Sequence, residues 1–355
     1  MNRKQFLKTL AITAAAPSLV RAAAQSPAPA AYTPPKPVAQ LPSTVFPPAF
    51  DDAGGWTLAL LPDTQKYTNE HRFPDVYLRQ ARWLAENKER LNLRFVAHEG
   101  DIVDTNVHSE WLVAKEAHDI LFNHGVPFSL TTGNHDLGPW GGTTSRATFL
   151  NDHFNGRHYR HSAKSGLFEP HHLENSWHRF ATPHGDKLLL SLEFGPRDSV
   201  LEWADKIAGD NAELDTIVVT HAYLFSDSTR YDWAAKGKKQ RWNPHSYKLR
   251  RDVNDAQEMW DKLISRHANI RFVCCGHVLH AGTGYLASAG AGGRVVHQIL
   301  ANYQGGVKPD RGHGGGGFMR LMRFNDDRKT VAVKTYSPWY DQWLDDEAND
   351  FSLTL

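Results

Sequence analysis

Gly133-Asn134-His135-Asp136 stands just past the apolar run Pro127 to Leu130 and offers three side chains suited to metal and proton chemistry. The same order, an apolar run and then a ligand-type residue, recurs along the chain. Asp63 follows Trp56 to Leu61, and Gly100-Asp101-Ile102-Val103-Asp104 follows Leu93 to Ala97. His221 follows Thr216 to Thr220, and Gly276-His277 follows Ile270 to Cys275. In an open sheet the carboxyl ends of the strands line one crevice, so residues repeatedly placed there converge on a single site.

Between these runs the apolar period changes to that of a helix. Tyr77, Ala81 and Leu84 recur at i, i+4 and i+7, as do Val113, Ala117 and Ile120 behind a candidate cap at Ser109. Val200, Trp203, Ala204 and Ile207 predict a third amphipathic helix, and Ala256, Trp260 and Leu263 a fourth. Strands alternating with such helices predict an α/β fold of βαβ units, with the sheet buried between helical layers. Further strands are expected at Arg294 to Leu300, Phe318 to Phe324 and Thr330 to Thr335, the last two forming a hairpin around Asn325-Asp326-Asp327. Leu137 to Asn175 and Phe225 to Arg251 show no sustained period. Each follows a proposed ligand loop, where insertions either shape substrate access or simply cover the surface. Gly312 to Gly317 reads as a mobile loop.

The chain has 355 residues, 41% of them hydrophobic and 11% aromatic, which is a globular composition able to fill a sizeable core. Forty basic and 39 acidic residues leave a formal charge of +1, so no global field draws it to nucleic acid or an anionic membrane. The adjacent Cys274 and Cys275 should point to opposite faces of a strand, which excludes a disulfide framework and suggests two small buried residues. Residues 1–24 read as an export signal: Arg3, Lys4 and Lys8 precede the apolar Leu10 to Val20, and Ala22-Ala23-Ala24 offers a cleavage site. The run is too short to span a bilayer, and no Cys follows it to carry a lipid anchor. Asn2-Arg3-Lys4 also resembles a twin-arginine signal with Lys as the second basic residue. The protein is therefore expected outside the cytoplasm, periplasmic or secreted. Residues 25–50, rich in Pro and Ala, are expected to be an extended linker, and residues 51–355 the catalytic domain. Nothing in the sequence specifies an oligomeric state.

The order of polar clusters resembles the calcineurin-like metallophosphoesterases, whose pattern runs D-x-H, G-D-x-x-D, G-N-H-D or G-N-H-E, a lone His, then G-H-x-H. The matching pieces are Asp63-Thr64-Gln65, Gly100 to Asp104, Gly133 to Asp136, His221, and Gly276-His277-Val278-Leu279-His280. The resemblance extends from about Thr57 to the end of the chain. Leu61 to Gln65, Val296 to Gln304 and Thr335-Tyr336-Ser337-Pro338 look like a bacterial exported branch of that family. It implies a four-layer β-sandwich flanked by helices, and hydrolysis of a phosphorylated substrate by a metal-bound hydroxide in a dinuclear site. By the same resemblance Asp101 bridges the cations, Asn134, His221 and His277 complete one site, and Asp63 belongs to the other. Such a mixed O and N ligand set suits Mn, Fe or Zn better than Ca. Two divalent cations about 3.5–4 Å apart would activate water and clamp the in-line transition state. His135 is implied to protonate the leaving oxygen, with Asp136 orienting it, and Asp104 to orient a ligand without binding metal.

This chain departs from the family pattern at one of the two sites. Gln65 replaces the His of D-x-H, and Leu279 takes the last position of G-H-x-H, with His280 displaced by one residue and so turned to the other face of an extended segment. Gln65 can still offer an amide oxygen. His98 is either an orienting neighbour of the Asp101 loop or a strand-end histidine satisfied by backbone. Asn302, Tyr303 and Gln304 either face the crevice or are a core tyrosine with two loop amides. Gly282-x-Gly284-x-x-Ala287 lacks the helix and acidic residue of a dinucleotide loop, and no G-x-S-x-G nucleophile is present. Other expectations compatible with the same residues are a phosphodiesterase, a hydrolase of nucleoside-diphosphate compounds, and a metal-retaining protein without catalysis.

Overall fold

The computed structural model describes residues 45–69, 72–249, 252–279, 282–305 and 313–355. The proposed export signal, the linker up to residue 44 and His280 lie outside the described residues.

In chain order the strands are β1 (Trp56–Leu61), β2 (Leu93–His98), β3 (Phe128–Ser129), β4 (Lys164–Leu167), β5 (Ser176–Phe180), β6 (Lys187–Leu192) and β7 (Thr216–Thr220). They continue with β8 (Ile270–Cys275), β9 (Thr283–Ala289), β10 (Val295–Ala301), β11 (Met319–Phe324), β12 (Thr330–Ser337), β13 (Gln342–Leu344) and β14 (Phe351–Thr354). Two sheets of seven strands result. One runs β13-β12-β11-β1-β2-β3 with β14 also on β12, and the other runs β4-β5-β6-β7-β8-β10-β9. Each has a run of parallel strands, β1-β2-β3 at one side of the first sheet and β6-β7-β8-β10 within the second.

Strands β1, β7 and β8 of these runs are buried on both faces, which is why their sequences read as continuous apolar runs rather than as alternation. Their period of two still sorts the side chains. Trp56, Leu58 and Leu60 of β1 and Phe95 and Ala97 of β2 meet Ile217, Val219, Phe272 and Cys274 between the sheets. Val218, Val273 and Cys275 face the other way, onto the helices Asp198–Asp210 and Ala256–Lys262. The adjacent cysteines thus belong to different cores, as the strand period predicts. On the outside of the first sheet, helix Pro74–Glu86 lays Trp83 against Tyr336 at 4.6 Å, and helix His108–Asn123 lays His118 against Phe128 at 5.0 Å. The order helix, sheet, sheet, helix is the four-layer sandwich that the resemblance implies, whereas the alternation of strands and helices alone predicted a single sheet between helical layers; the apolar inner faces of two sheets meet instead.

Several local expectations are corrected. Ser109 does not cap its helix; Val107 stands at that position without a side-chain cap, and Ser109 lies inside the first turn. Glu110 there accepts the N–H groups of Asp104 and Thr105 instead, tying the helix to the Asp101 loop. Leu137 to Asn175 is not wholly irregular, since β4 pairs antiparallel with β5. The end of the proline-rich stretch is not extended linker. Phe46 stacks on Trp83 at 5.8 Å and Phe50 lies 5.7 Å from Trp343, burying both phenylalanines. Within the glycine-rich loop, Gly314 to Gly317 all take positive φ and pack closely; the Gly317 N–H donates to the Tyr67 hydroxyl at 2.9 Å.

Candidate metal centre

Five loops leave the C-terminal ends of β1, β2, β3, β7 and β8, the first three on one sheet and the last two on the other. Asp63, Asp101 and His277 take φ of 37°, 50° and 76°, a region uncommon for residues other than glycine. This conformation turns each side chain back across the strand ends. The glycines beside them make room: a Cβ on Gly133 would lie 2.2 Å from Asp101 Oδ1, and one on Gly276 would lie 2.1 Å from Asp63 Oδ2.

The result is a buried cluster. His221 Nδ1–H donates to the Glu99 carbonyl at 2.8 Å, which turns Nε2 toward Asn134 Oδ1 and Asp101 Oδ1, each at 3.2 Å, and His277 Nδ1 at 3.1 Å. The far nitrogen of His277 is also engaged, donating to the Trp242 carbonyl at 2.8 Å. Even when His221 carries a proton on Nε2, that one proton faces three acceptors. A cation satisfies them all at once, and a carboxylate, an amide oxygen and two imidazoles suit Mn, Fe or Zn. Asp101, His221 and His277 are grouped closely enough to hold one metal ion.

Asp63 and Gln65 lie on the other side of Asp101. Both oxygens of Asp63 accept the His277 N–H, at 3.2 and 3.1 Å. Gln65 Nε2 donates to Asp101 Oδ2 at 2.8 Å, and its Oε1 is buried without a hydrogen-bond partner. An orphaned buried acceptor beside two carboxylates fits a second cation, held by fewer and harder ligands.

The electrostatics follow from the packing. Burial alone would lower the pKa of His221, but the Asp101 carboxylate, with Asp63 behind it, outweighs burial and raises it to about 9. Burial would likewise raise Asp101, and His221 and His135 outweigh it, holding that carboxyl well below its usual range. His277 is pushed down to about 3 by burial and by His221. Asp63 is raised by burial, and Asp136 is raised to about 7 by burial and by Asp101.

The remaining candidates take other roles. Asp136 does not contact His135; its carboxylate accepts the N–H groups of Gly133, Ile102 and Val103 at 2.7, 3.1 and 2.9 Å, tying two site loops together. His135 is oriented by Asp104 instead. Its Nδ1–H donates to the Asp104 carbonyl at 2.7 Å, and Asp104 Oδ1 is 3.5 Å away. Asp104 is itself held by Lys66 at 2.7 Å and by Asn69. His98 touches no candidate ligand side chain: it accepts from the Gly100 N–H at 3.1 Å and donates to Thr64 Oγ1 at 2.9 Å, joining the Asp63 and Asp101 loops. Asn302 Oδ1 accepts the Gln304 N–H at 3.0 Å while its Nδ2 is buried without a partner, and Tyr303 is a core residue on Arg320 and Thr335. The carbonyls of Glu99 and Trp242 fix the tautomers of both histidines. No sequence signal marks them, because any residue offers a carbonyl. Trp140 and Phe149, from the first insertion, line a groove of about 430 Å³ beside these loops.

No family model matches the chain. A Bacillus subtilis (strain 168) protein named uncharacterized protein YvnB is 28% identical over 323 residues, which are 87% of this chain and 22% of that protein. The chain therefore spans about a fifth of the length of the curated relative it matches. Among solved structures, it is similar to GAP50, the anchor in the inner membrane complex of Plasmodium, with TM-score 0.46 and 13% identity over 85% of this chain and 88% of that one. It is also similar to a 5'-nucleotidase precursor from Thermus thermophilus, with TM-score 0.43 and 12% identity over 84% of this chain and 55% of that one. The NAD nucleotidase of Haemophilus influenzae gives TM-score 0.39 and 9% identity over 80% and 48% of the two chains. No helix among the described residues is long and apolar enough to cross a membrane.

Proposed function

We propose that this chain is a metal-dependent phosphoesterase of the calcineurin-like type, exported by way of residues 1–24. The observation that carries the reading is the convergence of Asp101 Oδ1, Asn134 Oδ1, His221 Nε2 and His277 Nδ1 on one buried point. These four would hold one divalent cation, and Asp63, Asp101 and the Gln65 amide oxygen a second. Bound there, two cations would supply an activated water and charge stabilisation for the phosphoryl oxygens.

The chain's own residues do the rest. Asp101 presents one oxygen to each side of the centre, as a bridging carboxylate must. His135 lies outside the ligand set, its side chain 36% exposed and its Nδ1–H spent on the Asp104 carbonyl, so Nε2 is left to give a proton to the departing ester oxygen as the P–O bond breaks. Asp104 holds the ring in orientation, and Lys66 holds Asp104 in place. Asp136 keeps the two ligand loops in register.

Phosphomonoesters, phosphodiesters and nucleotides assayed with Mn, Fe or Zn test the reading, with Asp101→Asn as control. The wild type should hydrolyse at least one class, and the variant should lose both metal and turnover. A variant with wild-type metal content and rate would overturn it. Gln65 donating to Asp101 favours a second reading, a metal-retaining protein without catalysis; metal binding with no hydrolysis in the same screen selects it.

A further inference from the structure

Phe225 to Arg251 reads in the sequence as an insertion that either shapes substrate access or covers the surface, yet part of it is hydrogen-bonded to His277 of the candidate metal centre. Trp242, whose carbonyl accepts from His277 Nε2–H, sits at φ 65°, a conformation a bulky residue keeps only when its surroundings hold it. Both neighbours are held. The Arg241 carbonyl accepts the Tyr231 hydroxyl at 3.0 Å. Asn243 is fully buried: its Nδ2 donates to Asp255 Oδ2 at 3.1 Å and its Oδ1 accepts the His245 N–H at 2.9 Å. Asp255 caps the helix Ala256–Lys262 and also accepts the Trp233 N–H at 2.6 Å, while His245 pairs with Glu258 of that helix at 2.6 Å.

We propose that Asn243, locked to Asp255, is a positioning residue of the metal centre. It aims the Trp242 carbonyl at His277, which fixes the proton on Nε2 and leaves Nδ1 for the metal. This rests on the metal-centre reading above. On it, the segment around Trp242 is a strap that must stay closed for His277 to serve as a ligand, and opening it releases the cation.

The test uses Co²⁺ alone, titrated into the metal-stripped full chain in competition with a chelator. Visible absorption of the bound Co²⁺ and ¹⁵N resonances of the His277 ring are followed alongside. Asn243→Ala should weaken Co²⁺ binding by about ten- to a hundredfold, change the absorption band and mix the two His277 tautomers. Tyr231→Phe, which keeps the ring but frees the Arg241 carbonyl, should weaken it several-fold. Asn254→Ala serves as the structural control, because Asn254 holds the Pro196 carbonyl and Asp198 and does not touch the strap peptide. It should lower the melting temperature with Co²⁺ affinity within twofold of wild type. A folded Asn243→Ala with wild-type affinity and absorption, or equal loss in Asn254→Ala, overturns the proposal. If Asn243→Ala does not fold, unchanged affinity in Tyr231→Phe overturns it. A wild type that binds no Co²⁺ defeats the metal-centre reading itself, and the proposal with it.

Discussion

His135 and Gln65 each have one hydrogen-bonding atom committed and one left over, and the spare atom defines what each can do. For His135 the spare atom is Nε2, turned away from the Asp104 carbonyl. His135→Asn should keep both metals and slow esters with poor leaving groups by roughly a hundredfold or more, but activated aryl esters less, since they need little protonation. Steady-state rates on the two ester types decide this, and equal losses would remove the proton-donor role. For Gln65 the spare atom is Oε1, buried and unpartnered. An amide oxygen is a weaker ligand than imidazole for Mn, Fe or Zn, so the cation beside Asp63 should leave first under mild chelation. Gln65→His should tighten that site in a metal titration of the apoprotein. Two equally tight sites in the wild type would point to a further ligand, with His280 the first suspect.

At the scale of the element, the loops matter more than the strands that feed them. β3 is only two residues long, Phe128–Ser129, yet it places Gly133 against the Asp101 loop. Gly133→Ala should push the Asp101 carboxylate aside and abolish metal retention while the fold persists, which metal analysis beside circular dichroism would show. The strand ends and the polar residues gathered beyond them were legible because an apolar run followed by Asp, Asn or His is a local pattern. The expected cap at Ser109 fails, since the helix begins two residues earlier, behind Val107, and in its first turn Glu110 holds Asp104 and Thr105. β4 carries no sequence signal because Lys164 to Leu167 is half exposed and has a single large apolar residue.

For the whole molecule, the sandwich keeps the fully buried His178 and His118 neutral away from the candidate metal centre. His178 lies between Phe95 and Tyr159 and is lowered to about 3 by burial; His118 is lowered to about 4 by burial, partly offset by the Ala114 carbonyl. An unfolded chain protonates both near pH 6.5. Their contribution to stability is therefore complete above about pH 6.5 and is lost as pH falls toward 3–4, at up to about 1.4 kcal/mol per pH unit for each. His178→Gln should flatten the fall of the urea midpoint between pH 6.5 and 4.5 relative to wild type, and an unchanged slope would show that His178 stays accessible to protons. By itself the sequence determined the α/β alternation, the burial of Cys274 and Cys275 on opposite faces, and which loops carry Asp63, Asp101, Asn134, His221 and His277. All of these are set by side-chain type and period within a few residues. Only the tertiary structure decided that Asp104 rather than Asp136 holds His135, that Asp136 ties loops together, and that the carbonyls of Glu99 and Trp242 aim the histidines. Those roles depend on backbone groups, identical in every residue, and on chain segments brought together from different strands, so no local pattern encodes them.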